Sequence, residues 1–307
     1  MMNELNITHF DWWYGLEENF RKVLLITIYD KPEYYVDYCD LKRTKYTDLK
    51  RAEDLLKIFE LKQISYRNDI PSNPEYTLIK VPSFEFFHNL ECIEIVQCDL
   101  EDLSGFQTAK HAKRISIHEN WLSDNQQLQY FNGLTELEEL DLSFNAFTDL
   151  SALHDLPNLK EISLYGYYND VNVATLVKFP ALEIIDMDTA TDITVLSQLT
   201  QLKKLDYGSD EWEFDCSKIE WLIEQLPQCQ FNFYLPNERL VRNSQGLSDI
   251  NFLHCLALRE IKKENVSVSV PKFANEVERF NALEKKYRSD NDIYPLVCRA
   301  REQLKQE

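Results

Sequence analysis

The sequence predicts an α/β solenoid: a parallel concave β-sheet assembled one strand per repeat, with helical caps at both ends. Three observations carry that prediction. An apolar pattern recurs every 20 to 25 residues through the middle of the chain. Within each copy the last apolar positions alternate, as they do along a strand buried on one side. Residues 1–60 and 236–307 instead space their apolar side chains as helices do.

The clearest copy lies between Leu134 and Leu159, LTELEELDLSFNAFTDLSALHDLPNL. Its Leu137, Leu140, Leu142, Asn145, Phe147, Leu150 and Leu153 fill the slots of L-x-x-L-x-L-x-x-N-x-L-x-x-L-x-x-L. The same frame holds Leu90, Ile93, Ile95 and Cys98, then Ala112, Ile115, Ile117 and Asn120. It returns at Leu159, Ile162 and Leu164, at Leu182, Ile185 and Met187, and at Leu202, Leu205 and Tyr207. The six starts at 90, 112, 137, 159, 182 and 202 are spaced 22, 25, 22, 23 and 20 residues apart. Weaker copies at Leu61 (with Ile64, Tyr66 and Asp69) and at Phe231 and Phe233 bound an array over residues 61–235.

This pattern resembles the leucine-rich-repeat family, in its class of roughly 22 residues per repeat found in internalin-like and phosphatase-regulator-like proteins. The resemblance implies a leucine-rich-repeat solenoid whose strands stack in parallel and merge their apolar slots into one core. It also implies that the Asn or Cys slot satisfies backbone groups inside the bend. Cys98, Asn120 and Asn145 occupy that slot, while Tyr167, Ala190 and Asp210 depart from it. Segments such as 151–157 are too short for full helices, so short 3₁₀ turns are expected on the convex side. Asp210 to Cys216 reads as an acidic insertion in one turn.

Open solenoid ends expose apolar core and need covering. Residues 1–60 form the expected N-terminal cap. Trp13, Leu16, Phe20 and Leu24 lie on one helical stripe with Asp11 as N-cap, and a second helix is expected from Leu49 to Phe59. Residues 236–307 form a mostly helical C-terminal cap. There Phe273, Val277, Phe280, Leu283 and Tyr287 follow Pro271, and a last helix starts near Asp292 with Pro295 in its first turn.

Composition excludes several function classes. Acidic residues outnumber basic ones 52 to 33, a formal charge of −19. Such a surface repels nucleic acid and anionic membranes, so neither is expected as a partner. Apolar runs are short of the roughly 20 residues a membrane helix needs, and the N-terminus lacks a secretory signal pattern. The seven cysteines form no C-x-x-C pair, which fits a reduced, cytoplasmic protein. The six glycines are dispersed, so no phosphate-cradling loop is available and no cofactor is expected.

The repeat frame separates the residues that could carry chemistry. His88, Cys92, Cys98, His111 and His118 contain ligand types for zinc, but the frame points Cys92 outward and Cys98 inward, so they do not converge. Cys216 follows Asp215, an acidic setting that disfavours a reactive thiolate. Carboxylate pairs such as Glu138 with Glu139, or Asp186 with Asp188, sit on a solvated sheet and are expected to stay ionised. No catalytic or metal site is expected.

The outward slots are more informative. The slot between the two inward residues holds Glu94, Ser116, Asp141, Ser163, Asp186 and Asp206. With Glu91, Glu119, Glu138, Glu139, Glu161, Glu183 and Asp188 the face counts eleven acids against the five bases Lys113, Arg114, Lys160, Lys203 and Lys204. Phe144 and Tyr165 fall on neighbouring strands of the same surface, with Tyr167 and Tyr168 just beyond. The expectation is a non-enzymatic protein-interaction module that binds a basic protein on this face. The binding residues would be Glu94, Glu138, Asp141, Phe144, Tyr165, Asp186, Asp188 and Asp206. By analogy of charge and fold, a toxin-neutralising immunity protein fits. A regulatory or scaffold subunit of an enzyme, or a hydrolase hidden in the terminal regions, is the alternative.

Overall fold

The computed structural model describes residues 5–31, 35–68, 75, 77–166, 171–188, 190, 192–208, 216–234, 248–259, 261, 263–269 and 275–304. The chain divides into two compact units, Met1–Leu182 and Glu183–Glu307. Each is described by itself.

The first unit opens with two helices where one stripe was expected. Helix α1 spans Ile7–Gly15 and is capped by Asn6, not Asp11: the Asn6 side chain accepts from the His9 amide and His9 Nδ1 accepts from the Asn6 amide. Leu16 and Glu17 are extended, and α2 runs Glu18–Tyr29. Glu17, which precedes α2, has a backbone of φ −56° and ψ 144° and makes no side-chain capping bond. The stripe itself survives the break, since Trp13, Leu16, Phe20 and Leu24 are all buried.

After strand β1 (Val36–Asp37) and the short helix α3 (Tyr38–Arg43), helix α4 covers only Asp54–Phe59, not the whole of 49–59. Asp54 is its first residue. Its side chain is 1% exposed, accepting from the Arg51 amide, the Tyr29 hydroxyl and the Lys57 ammonium at 3.1, 2.6 and 2.7 Å. Burial alone would raise the Asp54 pKa, but the bonds from Lys57 and Tyr29 outweigh it and hold the carboxyl below its ordinary range.

Strands β2 (Gln63–Arg67), β3 (Cys92–Val96), β4 (Arg114–Ser116), β5 (Glu139–Asp141) and β6 (Glu161–Leu164) follow at one per repeat. All pair in parallel, and β1 adds to β2 in the same sense. The register sets Ile64, Ile93, Ile115, Leu140 and Ile162 side by side, every one of them buried. The frame read from the sequence is therefore the physical register. Short 3₁₀ turns at Ser104–Thr108, Asn125–Phe131 and Ala174–Lys178 return the chain on the other side. Buried rings line this side of the array at a tilt, Phe84 6.0 Å from Phe106 and Phe106 5.1 Å from Phe131. Gly105 is required here, because a Cβ would lie 2.0 Å from the Pro82 carbonyl oxygen.

The asparagine slot joins one repeat to the next. Asn120 Oδ1 accepts from the Cys98 amide at 2.8 Å, and its Nδ2 donates to the Ile95 and Ile117 carbonyls. Asn145 repeats the device, accepting from the Leu122 and Asn120 amides and donating to the Ile117 and Leu142 carbonyls. Both side chains are buried with donors and acceptors engaged, the condition under which a buried amide stabilises.

In the second unit β7 (Ile184–Met187), β8 (Lys204–Gly208), β9 (Gln230–Tyr234) and β10 (Val266–Ser269) are likewise parallel. Parallel pairing thus continues at Val266–Ser269, within the region read as a mostly helical cap. Among the described residues four helices accompany these strands: α5 (Cys216–Gln225), α6 (Asp249–Leu258), α7 (Glu276–Tyr287) and α8 (Tyr294–Leu304). Helix α6 packs against α5 and α8, and α7 against α8. Glu276 at the start of α7 forms a two-pronged ion pair with Arg259, both bonds 2.9 Å. The insertion read at Asp210 to Cys216, and residues Asp69, Tyr167, Tyr168, Pro271 and Phe273, lie outside the described residues, Cys216 excepted.

Candidate functional site

In the first unit, parallel pairing places Ser65, Glu94, Ser116, Asp141 and Ser163 in one row across β2 to β6. Hydroxyls alternate with carboxylates, and neighbours bond. Ser65 Oγ donates to Glu94 Oε2 at 2.7 Å, and Ser116 Oγ donates to Asp141 Oδ2 at 2.8 Å. Asp141 Oδ1 also accepts from the Ser143 amide at 2.9 Å. The row is an ordered acceptor line whose carboxylates are held in place by the strand beside them.

The adjoining edge of this sheet carries ion pairs. Lys113 reaches Glu91 at 3.0 Å, Arg114 reaches Glu139 at 2.5 Å and Lys160 reaches Glu138 at 2.7 Å. Lys160 thereby lowers the pKa of Glu138. In this unit the face counts seven acids (Glu91, Glu94, Glu119, Glu138, Glu139, Asp141 and Glu161) against three bases, and all three bases are in these pairs. Glu138 is therefore tied to Lys160, whereas Glu94 and Asp141 accept from serine hydroxyls rather than from Lys or Arg among the bonds described here.

At the C-terminal ends of the strands lies an aromatic ridge. The His118 and Phe144 rings are 5.0 Å apart, and Phe144 meets Tyr165 edge-on at 5.4 Å. Tyr165 remains 46% exposed, and Trp121 is 52% exposed. His118 also stands 3.8 Å from Asp141 Oδ2 and 3.7 Å from Glu119 Oε2. Backbone conformation builds the ridge. Gln97, Glu119 and Phe144 precede Cys98, Asn120 and Asn145, Gly166 precedes Tyr167 in the same slot, and all four have positive φ, from 53° to 78°. A non-glycine residue in that region costs about 1–2 kcal/mol. Here the amides of Gln97, Glu119 and Phe144 continue the interstrand ladder, donating to the carbonyls of His118, Ser143 and Tyr165. Gly166 has a second reason to be glycine: a Cβ there would sit 2.5 Å from the Phe144 ring.

Structure and expectation compare residue by residue. Glu94, Asp141, Phe144 and Tyr165 come together on the face of the first unit, and Glu138 sits at its ion-paired edge. Asp186, Asp188 and Asp206 belong to the second unit. There Asp186 lies opposite Asp206 in the register, and Asp206 accepts from Lys204 Nζ and Asn232 Nδ2, each at 2.5 Å. Sequence reasoning weighed His118 only as a metal ligand and passed over Trp121. Slot alignment could have found His118, since it shares its slot with Tyr165.

Other chemistry is not assembled. Among the described residues no group of three or more His, Cys, Asp and Glu could hold a metal ion. Burial pushes the Cys92 thiol up to about 11 and the Cys229 thiol up to about 12, and raises Cys98 further. Such thiols are poor nucleophiles. No helix among the described residues is long and apolar enough to cross a membrane.

Comparison with known proteins places this geometry. A family model of leucine-rich repeats (two copies) matches residues 135–175. The chain is 30% identical over 106 residues to acidic leucine-rich nuclear phosphoprotein 32-related protein 1 of Caenorhabditis elegans, covering 32% of this chain and 46% of that protein. It therefore spans about half the length of that curated relative. Among solved structures, internalin C2 of Listeria monocytogenes is similar at 17% identity and TM-score 0.47, over 67% of this chain and 85% of that one. Internalin F of the same organism is similar at 15% identity and TM-score 0.42, over 74% and 66%. Repeat frame, one parallel strand per repeat, asparagine ladder and family-model match agree: the chain folds as an array of leucine-rich repeats.

Proposed function

We propose that this protein is a non-enzymatic interaction module that binds a basic protein partner on the outward face of its repeat sheet. Leucine-rich-repeat solenoids use their sheet surface for protein recognition. The observation that carries the reading is the juxtaposition of the aromatic ridge His118–Phe144–Tyr165 with Asp141 and Glu119. Exposed aromatics beside ordered acceptors are the composition of an interface centre, and unbalanced carboxylates around them steer a cation. The second unit carries acidic residues of its own in Asp186, Asp188 and Asp206. Neutralisation of a basic toxin is the role this charge suits, and the face would work equally as a docking platform in a regulatory assembly.

The test is quantitative affinity capture from native lysate at low and high salt, with wild-type and Tyr165→Ala baits compared by mass spectrometry. The proposal expects a basic protein retained by the wild type at low salt, released at high salt and depleted on the variant. Equal recovery on both baits would exclude this face.

A further inference from the structure

Helices α5 and α6 of the second unit meet through a contact that packing alone does not require. Cys216 is the first residue of α5 and Cys255 lies in the middle of α6, 39 positions later. Their sulfurs are 2.7 Å apart, and the two residues are 0% and 1% exposed. Two thiols would ordinarily sit farther apart, and a bond needs about 2.05 Å. Closing the remaining gap takes well under 1 Å. The surroundings hold both sulfurs in place. The Cys216 amide donates to Asn251 Oδ1 at 3.1 Å, one turn before Cys255 on α6. One turn beyond Cys216, Glu220 accepts from Arg299 at 2.9 Å and lies 3.2 Å from His254 Nδ1. The two helices are thus joined by polar contacts beside the sulfur pair, Cys216 with Asn251 and Glu220 with His254.

We propose that Cys216 and Cys255 form a reversible redox clip, a dithiol that converts to an intramolecular disulfide when a low-molecular-weight disulfide such as oxidised glutathione reaches it. The first turn of a helix opens more readily than its middle, so Cys216 reacts first. Its thiolate attacks the oxidant's S–S bond, forms a mixed disulfide and releases one glutathione, which takes up the proton. The Cys255 thiolate then attacks the Cys216 sulfur, forms the Cys216–Cys255 bond and expels the second glutathione. Two electrons and two protons pass to the oxidant, and a dithiol reductant reverses the change. The clip ties α5 to α6 and restricts the unfolded chain between them.

The full-length protein, folded and never denatured, is incubated with oxidised glutathione, quenched in acid, alkylated and digested without reduction for mass spectrometry. The expected product is a linked Cys216–Cys255 peptide pair, two hydrogens lighter than the sum of the reduced peptides, which a dithiol removes. Oxidation also raises the thermal midpoint of the wild type, by about 5 °C or more on the chain-entropy account. In Cys255→Ser the expected product is glutathione retained on Cys216, with no gain in midpoint. Stable glutathione on wild-type Cys216, or no linked pair in the native protein, would overturn the proposal.

Discussion

Replacing Asn145 by alanine removes one joint of the repeat ladder without touching any exposed surface. The side chain is 1% exposed. Its three shortest bonds run to the Leu142 carbonyl (2.8 Å), the Ile117 carbonyl (3.0 Å) and the Leu122 amide (3.1 Å). Each lost bond costs about 1 kcal/mol, and the backbone groups left behind have no water to replace it. The loss adds up to about 3 kcal/mol, with a further contribution from the cavity. Urea denaturation followed by far-UV circular dichroism reads it as a drop in midpoint at unchanged slope. Hydrogen exchange should localise the weakening to residues 114–122 and 139–145. A loss under about 1 kcal/mol would refute the view that the asparagine slot holds neighbouring turns together.

Two further outcomes follow from the geometry. Gly166→Ala places a Cβ 2.5 Å from the Phe144 ring at φ +78°, so it should cost at least about 1–2 kcal/mol by thermal denaturation and displace the ridge. Acid should destabilise the fold through Asp54 and Glu220. For both, burial opposes ionisation, but Lys57 and Tyr29 at Asp54, and His254 and Arg299 at Glu220, leave the folded pKa lowered. Carboxylates with depressed folded pKa values stabilise above their unfolded pKa, about 4, and that contribution disappears as pH falls through the folded value. Stability measured from pH 6 to pH 2 should therefore decline below about pH 4, and the decline should be shallower in Asp54→Asn.

Much of this fold is legible in the sequence because a solenoid converts sequence period directly into spatial register. The slots of Ile93, Ile115, Leu140 and Ile162 become neighbours with no long-range choice to make. The helical ends are less legible, since stripes report which residues are buried but not where the helix is interrupted. The buried stripe runs across the break at Leu16 and Glu17, and α4 begins only at Asp54, whose side chain accepts from the Arg51 amide. Strand β10 escapes notice because Val266 and Val268 alternate without a leucine frame around them. At the candidate site the pattern places Phe144 and Tyr165 on one surface. It does not show that Lys160 claims Glu138 or that serines hold Glu94 and Asp141. Those facts depend on rotamers, which a period cannot encode.

The central claim, that the sheet face of the first unit is the binding surface, is tested most directly by hydrogen–deuterium exchange of the intact protein with and without its captured partner. The account predicts slowed exchange in residues 116–121, 141–145 and 163–166, with the opposite 3₁₀ turns at 104–108 and 125–131 unchanged. Protection confined to those turns or to the helices, with the strand ends unaffected, would contradict it.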